Sequence, residues 1–162
     1  GSWQSLESSA AGHGVDPEAV EGMLIVESVL LYDERMEKFT RTVLFTDTDG
    51  RARFREEDIP LDQGTPQSRL SELLPAIGLQ LRHSPVGFQS SFHVTTTPQW
   101  VFILQGQMEI GLQDGTSRVF SAGQHFYSAD TLPEGATFDP AVHVHWSRQI
   151  GDEPLRTLFL KD

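Results

Sequence analysis

From residue 39 onward the chain alternates apolar and polar residues in short runs broken by Gly-containing turns, the pattern of half-buried strands. TVLFTD, the turn Asp47-Thr48-Asp49-Gly50 and RARFRE read as a hairpin, because Asp-Gly supplies the positive φ that a tight turn needs. Further strand-like runs follow at close intervals: LQLRH, FQSSFHVT, QWVFILQ, MEIGL, SRVFS, HFYSA, VHVHWS and a last run over Leu155–Leu160. Ile59–Pro66 and Thr131–Ala141 read as loops from their Pro and Gly content. Ser68–Ile77 is ambiguous, with Leu70, Leu73 and Leu74 at helical spacing but Pro75 cutting the run short. Many short strands with regular turns predict an all-β sandwich or barrel.

The first 38 residues differ. Gly1–Gly14 is rich in Ser, Gly and Ala and reads as a flexible leader, its opening Gly-Ser as a cloning remnant. Asp16-Pro17-Glu18 is a helix-start signal, and the apolar run Met23–Tyr32 leans to helix with a strand as the alternative. The expected organisation is a leader and N-terminal extension over 1–38 and a β domain over 39–162.

The stretch from Phe88 to Gln105 places chemistry on this scaffold. As two strands around a Thr/Pro turn, it sets Ser91, His93 and Thr95 on one face of the first. Gln99, Val101 and Ile103 share a face of the second, so His93, Thr95 and Gln99 converge on one small volume. Trp100, Phe102 and Leu104 point the other way and continue, across Gly106, into Met108, Ile110 and Leu112. Such an apolar stripe is either second-layer packing or a dimer face, and a homodimer is the favoured expectation. Further on, Val142, Val144 and Trp146 alternate with His143, His145 and Ser147, so His143 and His145 are expected to share a face about 7 Å apart.

Composition narrows the chemistry. A net charge of -11 argues against a nucleic-acid groove or an anionic membrane patch, both of which need clustered Lys and Arg. With no cysteine in the chain, disulfides, thiolate nucleophiles and Cys-type zinc sites are excluded. No apolar run reaches membrane-spanning length and no signal-peptide pattern opens the sequence, so a cytoplasmic protein is expected. Nucleophile-elbow, phosphate-loop, dinucleotide and His-Glu-x-x-His signatures are all missing.

Gly87, His93, Thr95, Gln99 and Gly106 fall on the spacing of the first cupin motif, with Thr95 standing for a His and Gln99 for the Glu. Gly115, Ser121-Ala122-Gly123 and His145 match the second, with Ser in place of Pro. The chain from about Thr42 onward therefore resembles the cupin superfamily, and most of all its small single-domain bacterial members. That resemblance implies a double-stranded β-helix, or jelly-roll barrel, with a short N-terminal extension, and one divalent metal held inside it. The ligand set it leaves here is His93, Gln99 and His145, with His143 as a further candidate and Fe, Mn, Ni, Cu or Zn as the metal. A metal-free pocket is the alternative. Three functions follow: an enzyme of oxygenase, isomerase or lyase type using a metal or His93, His143 and His145 as acid and base; a non-catalytic binder of a small molecule; and a structural dimer with a relic site. In the first two, Thr95, Val101 and Ile103 line the substrate pocket. His125 is expected to pack or reach solvent, and His83 to be exposed.

Overall fold

The computed structural model describes residues 37–162, which form one compact unit of the chain. The expectations for Gly1–Gly14, Asp16-Pro17-Glu18 and Met23–Tyr32 lie outside the described residues. Within 37–162 the elements are all strands: β1 (Lys38–Thr46), β2 (Ala52–Pro60), β3 (Gln63–Thr65), β4 (Ser68–Leu70), β5 (Gly78–Ser84), β6 (Gln99–Gln105), β7 (Gln107–Gly111), β8 (Ser117–Ser121), β9 (His125–Ala129), β10 (Trp146–Ile150) and β11 (Leu155–Lys161).

They form a six-stranded sheet in the order β2-β1-β9-β6-β11-β5, a three-stranded sheet β10-β7-β8, and a small ribbon of β3 and β4. Only β1 and β9 run parallel in the large sheet; its other pairs are antiparallel. Both main sheets feed one core. Leu44, Val101, Ile103, Phe126 and Leu155 come from the large sheet, and Met108, Ile110 and Phe120 from the small one. Leu44, Ile110 and Leu155 are fully buried, each contributing about 1.5–3 kcal/mol. Two antiparallel-rich sheets closed over one core, with crossed strand order, fit a jelly-roll β-sandwich.

The hairpin of β1 and β2 forms as the sequence predicts, and Gly50 takes φ 82° in the turn where Asp47 accepts its N–H. Strand parity also holds in β6. Val101 and Ile103 face the core, while Trp100 joins Val43 and Tyr127 in a second apolar layer on the outer face, with Phe102 packed against it. The expected stripe from Trp100 through Leu112 does not exist, however. Met108, Ile110 and Leu112 belong to the inner core, because the chain reverses face at Gly106, where φ is 77° and a Cβ would lie 2.7 Å from the Pro154 carbonyl oxygen, leaving no room for a side chain.

Three other segments differ from the sequence reading. The loop expected over Ile59–Pro66 contains the end of β2 and all of β3, which pairs with β4 through a turn at Pro66-Gln67. Every residue of this ribbon is exposed, so no apolar period marks it. After Leu70 the segment is irregular rather than helical, with Leu73 in solvent and Leu74 resting on the outer layer. Phe88–Thr95 is not a strand either. Its pairing with the neighbouring strand is reduced to two isolated bridges, Gln89–Arg148 and His93–His145. One reason is visible: the Ser147 N–H donates to the Ser90 hydroxyl (2.9 Å), a side chain competing with the backbone ladder.

Candidate functional site

Where the irregular segment meets the start of β10, the rings of His93 and His145 lie 5.1 Å apart, edge to face, and the His93 N–H donates to the His145 carbonyl at 3.4 Å. Thus the convergence of positions 93 and 145 stands, though not by strand pairing. His145 is buried and His93 exposed, so one ring lies within the protein and the other reaches its surface. Ser91 and His93 are both exposed while Thr95 is buried, so these three do not share a face.

His145 has a partner that the sequence reading missed. Its Nδ1 lies 2.5 Å from Oδ2 of Asp130, a carboxylate with no exposed surface. The Ser128 hydroxyl donates to the other oxygen, Oδ1, at 3.0 Å. Asp130 is placed by the end of β9, where Ala129 still pairs with Phe45, and by the Thr46 hydroxyl donating to the Thr131 carbonyl at 2.6 Å. A signal for it existed. Phe126, Ser128 and Asp130 follow at period two from a strand whose inward position is Phe126, which pairs with inward Val101.

These contacts decide the tautomers. A carboxylate accepts only, so a neutral His145 carries its proton on Nδ1 and presents a lone pair at Nε2. The Nδ1 of His93 lies 3.0 Å from the Ser91 carbonyl, which also only accepts, so His93 too keeps its proton on Nδ1 and a lone pair on Nε2. Ser90 braces the pair: its hydroxyl is 3.3 Å from His93 Nδ1 and 3.1 Å from the Ser147 hydroxyl.

His143 goes elsewhere. Val144 has a φ of 64°, which breaks the alternation on which a shared face for His143 and His145 depended. For a buried β-branched residue this left-handed geometry is strained, by about 1–2 kcal/mol. The His143 ring stacks on Phe138 at 6.5 Å, and its Nδ1 accepts the Asp139 N–H at 2.9 Å. A side chain at Gly50 would lie 3.3 Å from its Nε2, so His143 packs against the β1–β2 turn. Gln113 ties the same loop by donating to the carbonyls of Pro140 and His143.

Gln99 pairs in register with Ser128, which puts it on the face that carries Ser128 and, two residues on, Asp130. Val101 and Ile103 are packed in the main core, each 2% exposed. His125 sits on the outer layer between Phe39, Trp100 and Phe102, where burial pushes its pKa down. His83 is exposed. An apolar groove of about 340 Å³ on that outer side is lined by Phe39, Ile59, Leu74, Trp100 and Phe102, and it involves neither His93 nor His145.

As a metal centre the donor set is thin. Among the described residues, no group of three or more His, Asp or Glu is placed to hold a metal ion. Asp130 lies on the Nδ1 side of His145, where it orients the ring rather than sharing a ligand at Nε2. What remains is two imidazole nitrogens and, at Gln99, a neutral oxygen.

Neither a protein-family model nor a curated protein matches the chain. Among solved structures, the Schizosaccharomyces pombe Cnp3 cupin domain is similar at a TM-score of 0.40 and 16% identity, over 80% of this chain and 87% of that one. A likeness of this size carries no argument about function or partners, and the jelly-roll description above rests on strand order and core. No helix of the described residues is long and apolar enough to cross a membrane.

Proposed function

We propose that residues 37–162 form a cupin-type domain that binds a small polar metabolite at the His93–His145 end, with His145 as its proton-handling group. The observation that carries this reading is the buried Asp130–His145 hydrogen bond opening onto an exposed His93. A carboxylate behind an imidazole fixes the tautomer and stabilises the imidazolium that forms when Nε2 takes a proton. Nε2 of His145 would then accept a proton from a bound acid, enol or hydroxyl group, and return it. His93 supplies a second Nε2 at the entrance, and Gln99 and Thr95 supply neutral polar contacts that orient the ligand.

A metal-dependent form of the same site is the second reading, favoured by two imidazole rings with centres 5.1 Å apart and both Nδ1 atoms already engaged. His93, His145 and Gln99 would hold an Fe, Mn, Ni, Cu or Zn ion, which would supply Lewis acidity. Purified chain, assayed for bound metal and for thermal stabilisation by small polar metabolites, separates the two. Stabilisation without metal, lost in His145→Ala, supports the acid–base site; near-stoichiometric metal lost in His93→Ala supports the metal form. A metal-free protein that responds to nothing would leave a structural role, in which the exposed Leu79 and Leu81 of edge strand β5 would face a second copy.

A further inference from the structure

We infer that Arg82 and Thr157 form a binding site for a small organic carboxylate with an apolar body, on the inner face of the six-stranded sheet. The register sets the geometry. Arg82 of β5 pairs with Thr157 of β11, and Thr157 pairs on its other side with Ile103 of β6. Residues paired in register leave a sheet on the same face. Ile103 lies in the inner core, so Arg82 and Thr157 also point inward.

There the two side chains share an unusual deficit. Nε and Nη2 of Arg82 and the hydroxyl of Thr157 are buried and, among the described residues, have no hydrogen-bond partner. No carboxylate among the described residues pairs with Arg82, in a chain whose 23 acids outnumber its 12 Lys and Arg. A guanidinium can only donate, and the neighbouring hydroxyl can donate too; the missing party is an acceptor. Leaving a buried cation without one is costly, and the burial pushes the Arg82 pKa down. Part of the Arg82 side chain reaches the surface, whereas Nε, Nη2 and the Thr157 hydroxyl do not, so ligand entry requires the Phe88 or Phe159 ring to swing aside.

A carboxylate fills the deficit: one oxygen pair takes Nε–H and Nη2–H in the fork geometry, and the Thr157 hydroxyl donates to it as well. The body of the ligand meets apolar walls, because the guanidinium carbon lies 5.3 Å from the Phe88 ring centre and 4.8 Å from that of Phe159. Two phenyl rings beside an anion site favour an aryl or alkyl acid over a bare inorganic ion. The site stands on Arg82 and Thr157 and does not depend on the role of His145.

The test uses the full chain, with benzoate as probe, benzamide as its neutral counterpart, and inorganic phosphate, all at constant ionic strength in chloride. Benzoate at ten times its Kd should raise the unfolding midpoint by about 4 °C, and benzamide and phosphate should not. Arg82→Gln should abolish the shift, while its own midpoint in chloride stays at or above that of the wild type, since an unpaired cation has been removed. The near-isosteric Thr157→Val should weaken benzoate binding about tenfold and still fold. His145→Ala should leave the benzoate response intact. The inference is overturned by equal stabilisation from benzamide or phosphate, by no response, by a full response in Arg82→Gln, by loss of the response in His145→Ala, or by an Arg82→Gln midpoint well below wild type, which would mark the arginine as a packing element between two rings.

Discussion

Replacing Asp130 by Asn and by Ala should separate the charge of this carboxylate from its role as an acceptor. Asp130 accepts from His145 Nδ1–H and from the Ser128 hydroxyl, and all three groups are buried. Asn keeps the shape. Its amide oxygen can still accept from His145 while its NH2 faces Ser128, whose hydroxyl can turn to accept. What is lost is the charge-assisted part of two hydrogen bonds, about 1 kcal/mol each, partly offset by no longer burying a charge. The net cost is about 1–2 kcal/mol. Ala removes both acceptors and strands two buried donors at about 1–3 kcal/mol apiece, so its cost is about 4 kcal/mol. For a domain of this size, where each kcal/mol is worth about 3–5 °C, the midpoints should fall by about 5 °C and about 15 °C. Urea unfolding of both variants, with His145→Ala and the double variant to complete a cycle, measures this directly. The Asp130–His145 coupling should be about 2 kcal/mol. Two variants within 0.5 kcal/mol of wild type, roughly the error of such a measurement, or an Ala variant no worse than Asn, would refute the reasoning.

Three other outcomes follow from the same coordinates. Gly111→Ala should cost about 1–3 kcal/mol by urea unfolding and shift the Trp fluorescence, because a Cβ there would lie 1.9 Å from the Trp146 ring; an unchanged protein would contradict this register. At the strained Val144 the usual order should invert, with Val144→Gly less destabilising than Val144→Ala by about 1 kcal/mol, since glycine alone relaxes at φ 64°. Burial holds the pKa of His125 below its ordinary 6.5, against smaller opposing effects of the Thr40 backbone and Glu56. The unfolded chain therefore takes up the proton first as pH falls, so this contribution is present above about pH 6.5 and lost as pH drops through the folded pKa. His125→Phe should flatten the midpoint against pH in that window, and an unchanged slope would remove His125 from the account.

Much of the fold was legible in the sequence because it rests on local rules. The Asp-Gly turn predicts the first hairpin, and period two separates Val101 and Ile103 from Trp100 and Phe102. Parity failed where one residue left the extended region. Gly106 moves Met108, Ile110 and Leu112 from the expected outer stripe to the inner core, and Val144 parts His143 from His145. No alternation pattern carries the sign of a φ angle. The meeting of His93 and His145 was foreseeable from motif spacing. Asp130 was overlooked although it follows Phe126 and Ser128 at the inward parity of β9. The unpaired donors at Arg82 and Thr157 needed coordinates, because a missing acceptor is a property of packing rather than of a sequence pattern.

The central claim, that Asp130 holds His145 with a free lone pair beside His93, has a direct test in the side-chain nitrogens themselves. In 15N-labelled protein at a pH where the imidazoles are neutral, long-range 1H–15N spectra distinguish a protonated ring nitrogen from a bare one. Both His93 and His145 should show the proton on Nδ1 and the lone pair on Nε2, and the His145 pattern should collapse or invert in Asp130→Ala, which removes the acceptor. A His145 protonated on Nε2 in the wild type would contradict the account.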